Sequence, residues 1–152
     1  MRFHVVAVGR LKSGPQADLV RHYAERLTWP LSIREVEERR KLSPAELKER
    51  EGTLLLAAVP PGALVVALDE KGITLTSEGF AQRLQRWRAD GVGDLAFLIG
   101  GTDGLAAAVL EKAAVRLALG IMTWPHLLVR GMLIEQLYRA QQIIAGHPYH
   151  RA

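Results

Sequence analysis

The chain has no cysteine. Disulfides, thiolate metal sites and thiol nucleophiles are therefore excluded. Aromatic residues make up only 6% of it, so a Trp or Tyr outside an apolar periodicity stands out. No apolar run reaches the ~18 residues that a membrane span needs, and none is expected to cross a bilayer. Met1-Arg2-Phe3-His4-Val5-Val6 has neither the length nor the cleavage site of a secretory leader, which makes the cytoplasm the expected location. A Walker motif is missing, because no Gly-Lys-Ser/Thr follows the glycines at 100–104. The dinucleotide fingerprint is missing as well, since their spacing is wrong and they stand late in the chain.

What is present suits one domain over residues 1–152, with ordinary hydrophobic (49%) and charged (24%) fractions. A net charge of +4 permits an anionic partner without requiring one. Its distribution says more. Residues 1–94 carry 15 Lys/Arg and 13 Asp/Glu, whereas residues 95–152 carry 5 and 3. The C-terminal part is the composition of a core or a subunit interface.

Short apolar runs closed by turn residues predict strands at Phe3–Val8, Leu31–Val36, Ala63–Leu68, Asp94–Ile99 and Ala118–Met122. Asp69-Glu70-Lys71-Gly72 reads as a surface turn. Helical spacing predicts helices over Gln16–Leu27, from Ser43-Pro44-Ala45-Glu46 to Ala58, from Thr76 to Ala89, from Gly104 to Arg116, and over Leu127–Ala145. Glu37–Lys41 is a charge run with no core face, the pattern of a solvated loop. Strands alternating with helices make an α/β domain with a mostly parallel sheet and flanking helices. Ligands of such sheets bind beyond the carboxyl ends of the strands, where Leu68-Asp69-Glu70, Gly100–Gly104 and Thr123-Trp124-Pro125-His126 fall.

Gly100-Gly101-Thr102-Asp103-Gly104 follows a strand and would offer free N–H groups to a ligand, although a tight turn explains it equally well. Leu119–Trp124 has few polar side chains, so a ligand there would be held by backbone and apolar walls. That suits an adenine ring and a sulfonium donor; a plain core strand with a turn suits it too. In the last helix Arg130 falls in the middle of the apolar sector of Leu133, Leu137, Ala140 and Ile144. A guanidinium there needs a carboxylate, phosphate or carbonyl partner, unless it snorkels or bridges subunits. Glu135 and Arg139 form an i,i+4 pair at a surface or interface.

The tail carries His147, Tyr149, His150 and Arg151. Two histidines without carboxylate or thiolate support make a poor metal site, and no metal is expected. Tyr to stack, His to move a proton and Arg to hold phosphate form a compact RNA-reading set; an unordered tail is the alternative. His126 could orient a substrate or cap the following helix. His4 and His22 lie in a strand and a helix, with structural roles.

Val5-Val6-Ala7-Val8-Gly9-Arg10-Leu11-Lys12, Leu98-Ile99-Gly100-Gly101-Thr102-Asp103-Gly104, Met122-Thr123-Trp124-Pro125-His126, Glu135-Gln136-Leu137-Tyr138-Arg139-Ala140 and Pro148-Tyr149-His150-Arg151 together resemble the large-subunit ribosomal RNA methyltransferase H family of the SPOUT class. The Pro-His segment with the tail motif is the specific part. The resemblance implies a deep trefoil knot near the C-terminus and an obligate homodimer. It also implies methyl transfer from S-adenosyl-L-methionine to N3 of a pseudouridine in a 23S rRNA hairpin loop, on assembled ribosomes. Matched by motif, Leu68, Gly100, Leu119, Gly120, Ile121, Met122, Thr123 and Trp124 would bind the donor, and His126, Arg130, Tyr149, His150 and Arg151 would serve the substrate. A non-catalytic RNA-binding or ribosome-assembly module on the same basic surface is the rival reading.

Overall fold

Val5, Val6, Ala7 and Val8 are all buried, the two-sided burial of a strand covered on both faces. A computed structural model, which describes residues 1–151, shows that pattern to be general. Ala152 lies outside the described residues. Five parallel strands, β1 (Arg2–Val8), β2 (Leu31–Val36), β3 (Leu64–Thr74), β4 (Asp94–Ile99) and β5 (Val115–Ala118), form one sheet in the order β2-β1-β4-β3-β5.

The connections are helical: α1 (Pro15–Arg26), α2 (Pro44–Ala57), α3 (Ser77–Ala89) and α4 (Ala107–Lys112), with α5 (His126–Ala145) after the last strand. Their starts are written locally. Pro15 and Pro44 open α1 and α2, where a missing N–H costs nothing. Ser43 Oγ accepts from the Glu46 amide at 3.2 Å, and Thr76 Oγ1 accepts from the Gly79 amide at 3.0 Å. Gly146 ends α5 in the left-handed region.

Alternation along the strands divides the core. Phe3, Val5, Ala7, Phe97 and Ile99 pack with Leu84 of α3 and with Leu133, Ile134 and Leu137 of α5; α1 closes the same face. Val6, Val8, Val65, Ala67 and Leu98 pack on the other face with Leu55 of α2 and Val109 of α4. The charge-poor C-terminal helix is thus core: Leu133, Ile134, Leu137 and Ala140 are fully buried.

Three expectations need correction. β3 continues through the supposed turn at 69–72 to Thr74. Its register against β5 breaks there: both Leu68 and Ile73 pair with Leu117, so Asp69–Gly72 bulges out between them. Gly72 permits this, because a Cβ would lie 2.5 Å from the Arg116 carbonyl carbon and oxygen. Second, the fifth strand is Val115–Ala118, since Val115 finds a partner in Val66 of β3, and residues 119–125 form a loop. Third, α4 is only six residues and begins at Ala107 instead of at the glycines, because claiming Val115 for the sheet ends the helix at Lys112.

Candidate active site

Irregular backbone beyond β3, β4 and β5 encloses a cavity of about 610 Å³ at the carboxyl ends of the strands. Three segments line it: Leu68–Lys71 from the β3 bulge, Ile99–Leu105 after β4, and Leu117–Gly120 with Met122–Trp124 after β5. These are the strand-end segments expected from the sequence. Ile121 is the exception among the donor residues, since it is 93% exposed and outside the lining.

The walls mix glycine backbone and apolar groups with charged side chains, among them Lys48, Asp69, Glu70, Asp103 and Arg116. Gly104 N donates to Gly101 O at 3.1 Å, closing the glycine loop on itself. A Cβ on Gly100 would sit 2.6 Å from the Gly104 carbonyl oxygen, which explains glycine at that position. Gly120 has φ +129°, a conformation that L side chains rarely adopt. Thr123 Oγ1 donates to Glu70 Oε2 at 2.7 Å, which fastens the loop after β5 to the β3 bulge. Asp69 and Glu70, expected on an ordinary surface turn, therefore stand on the cavity rim.

A second polar cluster lies at the end of β1. Arg130 of α5 is 2% exposed, and its Nη1 donates to Glu35 Oε2 at 2.6 Å while Nη2 donates to Gly9 O at 3.2 Å. The partner demanded by a guanidinium in an apolar stripe is thus a carboxylate and a carbonyl of its own chain. A side chain this buried does not snorkel. Its Nε stays buried without a partner. Glu35 also accepts from the Leu11 amide at 2.7 Å, and these bonds outweigh burial to hold its carboxyl below the usual range. His126 approaches Gly9 one helical turn before Arg130. Burial, helped by the Arg130 charge, lowers its pKa and disfavours the charged imidazolium.

The tail is ordered against α3 and α5. Tyr149 stacks edge-on against Tyr138, with centroids 4.7 Å apart, and its hydroxyl donates to Glu135 Oε1 at 3.0 Å. Burial, with help from Tyr23 and Glu135, pushes that phenol well above its ordinary pKa. Arg139 Nη2 donates to Glu135 Oε1 at 2.5 Å, so the i,i+4 pair belongs to the tail's seat. His150 Nδ1 lies 3.3 Å from Arg139 Nη1, and Nε2 lies 2.6 Å from Glu78 Oε1. Arginine can only donate, so Nδ1 accepts and Nε2 carries the proton toward Glu78. Arg151 is exposed, and no residue from 147 to 151 lines the cavity of the same chain.

Sequence reasoning missed Glu51. It is 7% exposed on α2 and lies beneath the glycine loop, where a Cβ on Gly101 would be 3.0 Å from its Oε2. Burial, with a smaller contribution from Asp103, pushes its carboxyl pKa upward. The signal was there: Leu47, Glu51 and Leu55 share one helical face by i,i+4 spacing. Glu78 was missed because only the folded chain brings it to the tail.

A family model described as Predicted SPOUT methyltransferase matches residues 1–150. The chain is 60% identical to "Ribosomal RNA large subunit methyltransferase H" of Rhodospirillum centenum over 152 residues, covering all of both chains. It is 54% identical over 152 residues to the protein of that name from Rhodospirillum rubrum, again over the full length of both. Among solved structures, Lpg2936 from Legionella pneumophila in complex with the bound cofactor SAM superposes with a TM-score of 0.51 at 11% identity, over 92% of this chain and 66% of that one. That likeness concerns the fold.

Proposed function

The chain belongs to the ribosomal RNA large subunit methyltransferase H family of SPOUT methyltransferases, and on that premise we propose that it methylates N3 of a pseudouridine in a 23S rRNA hairpin loop. S-adenosyl-L-methionine is the donor, the assembled ribosome is the substrate, and the enzyme works in the cytoplasm as a homodimer. The reading includes a deep trefoil knot through which α5 passes.

One observation carries the proposal. All of the donor residues expected from the sequence except Ile121 line a single cavity at the strand ends. Its size lies within the roughly 300–1,000 Å³ of small-molecule sites, and its walls fit an adenosyl group. Leu68, Gly100, Leu119, Gly120, Met122, Thr123 and Trp124 would hold the donor. When bound, that donor supplies an electrophilic methyl on a sulfonium.

The chain's own work is positioning and proton transfer. Pseudouridine N3 must lose its proton as it attacks. His150 is the acceptor in this reading, Tyr149 stacks on the base, and Arg151 meets phosphate. Arg130 braces the β1 and β2 ends beside His126, which faces the substrate. Both nitrogens of His150 are engaged in the observed seat, so it takes a proton only after leaving Arg139. In this reading the tail serves the cavity of a second copy, since no residue from 147 to 151 lines that of its own chain. Ile121 and Met122, 93% and 70% exposed on the cavity loop, are apolar surface that a partner would cover.

Mass mapping of 23S rRNA from a strain lacking the gene tests this. One methyl group on a pseudouridine should disappear and return on complementation. An unchanged mass pattern would overturn the assignment.

A further inference from the structure

Glu51 has no place in the reaction above, yet its position is hard to explain as packing. Its Oε1 is buried without a hydrogen-bond partner. Such an orphan costs roughly 1–3 kcal/mol, more if charged. Its carboxyl lies against Gly101, a residue that lines the cavity. Any side chain at 101 would collide with the carboxyl at 3.0 to 3.2 Å and with Val8 at 3.1 Å. Glycine and glutamate thus form a matched pair, with the carboxyl pressed under the loop and the cavity above it.

The charges facing this group are few. Asp103 on the loop is the one whose field reaches it. Lys48, one turn earlier on α2, lines the cavity. Ala106, just before α4, and Val109 on it face the next α2 residue, Gly52, with apolar carbon. On β1, Val8 is apolar, and the Arg130–Glu35 pair is joined to Gly9. Among the described residues no cation is paired with Glu51.

The donor is itself a cation at sulfur, whereas the demethylated product is not. A carboxyl held one backbone layer below the cavity senses that difference. Resting on the proposed donor cavity, we propose that Glu51 is a positioning residue of the glycine loop that gives up its proton to solvent when the positively charged donor binds above Gly101 and takes it back once the neutral product remains. It thereby favours donor over product. The proton goes to bulk buffer, and no bond to the donor is made.

The test is calorimetric titration of the full chain with S-adenosyl-L-methionine in two buffers of different ionisation enthalpy, repeated at a series of pH values from the ordinary carboxyl range upward. The expected result is release of a fraction of a proton, less for S-adenosylhomocysteine, and none for Glu51→Gln. Donor binding without buffer dependence, or release that survives in Glu51→Gln, overturns the inference while leaving the donor cavity standing. No donor binding to the unmodified protein overturns the cavity assignment and this inference with it. If Glu51→Gln does not fold, Asp103→Asn serves instead. Removing that neighbouring charge should move maximal release to lower pH, and an unmoved maximum counts against Glu51.

Discussion

Arg130 and Glu35 meet across 2.6 Å with unequal burial: the arginine side chain is 2% exposed and the glutamate 35%. The consequences of breaking the pair are therefore unequal. Glu35→Ala leaves an uncompensated guanidinium in the interior and should cost about 3–5 kcal/mol. Arg130→Met leaves a carboxylate that still has water and the Leu11 amide, and should cost about 1–2 kcal/mol. Urea midpoints of the two variants check the order, and the reverse order would contradict it.

Acid should unfold the protein through carboxylates that its arginines hold ionised. Glu38, bonded to Arg40 and Arg50, is depressed from 4.5 to about 2. A lowered folded pKa gives stability that is present above the ordinary value and lost as pH falls through the folded one. Stability should thus fall between pH 4.5 and 2, and Glu38→Gln should flatten that limb of the midpoint profile. Glu51 has the opposite sign. Its raised pKa gives stability that is present below the ordinary range and lost as pH rises, so Glu51→Gln should gain on the unmodified chain toward neutral pH.

Gly72→Ala should be among the most damaging single-methyl changes. The added carbon would meet backbone on β5 at 2.5 Å, and backbone cannot rotate aside. Overpacking of this kind costs about 1–3 kcal/mol or more. Thermal unfolding should show the loss, and donor titration should show weakened binding, because the bulge it distorts rims the cavity.

Truncation after Gly146 removes Tyr149, His150 and Arg151 without touching the cavity lining. Methylation should vanish while S-adenosyl-L-methionine still binds, as measured by radiolabel transfer and calorimetry. Near-full turnover by the shortened chain would remove the tail from the mechanism.

Much of this was legible in the residues. The capping residues at Ser43 and Thr76 and the short apolar runs of β1 and β4 located elements to within a residue or two. The strand-end segments named from the sequence do line one cavity. What failed was set by partners far along the chain. Asp69-Glu70-Lys71-Gly72 has turn composition, and only pairing of Leu68 and Ile73 with the same Leu117 keeps it in the sheet. The order β2-β1-β4-β3-β5 leaves no local trace. The tail's seat depends on Glu78, 72 residues away, which no periodicity connects to His150.

The division of labour between cavity and tail can be measured by mixing two inactive chains. One lacks the residues after Gly146; the other carries Gly120→Val, which blocks the donor cavity. If each tail completes the partner's site, a statistical mixture should recover about a quarter of normal methyl transfer, because half the dimers are mixed and each has one intact composite site. If mixed dimers form and transfer nothing, the tail does not cross to the partner and the account is wrong.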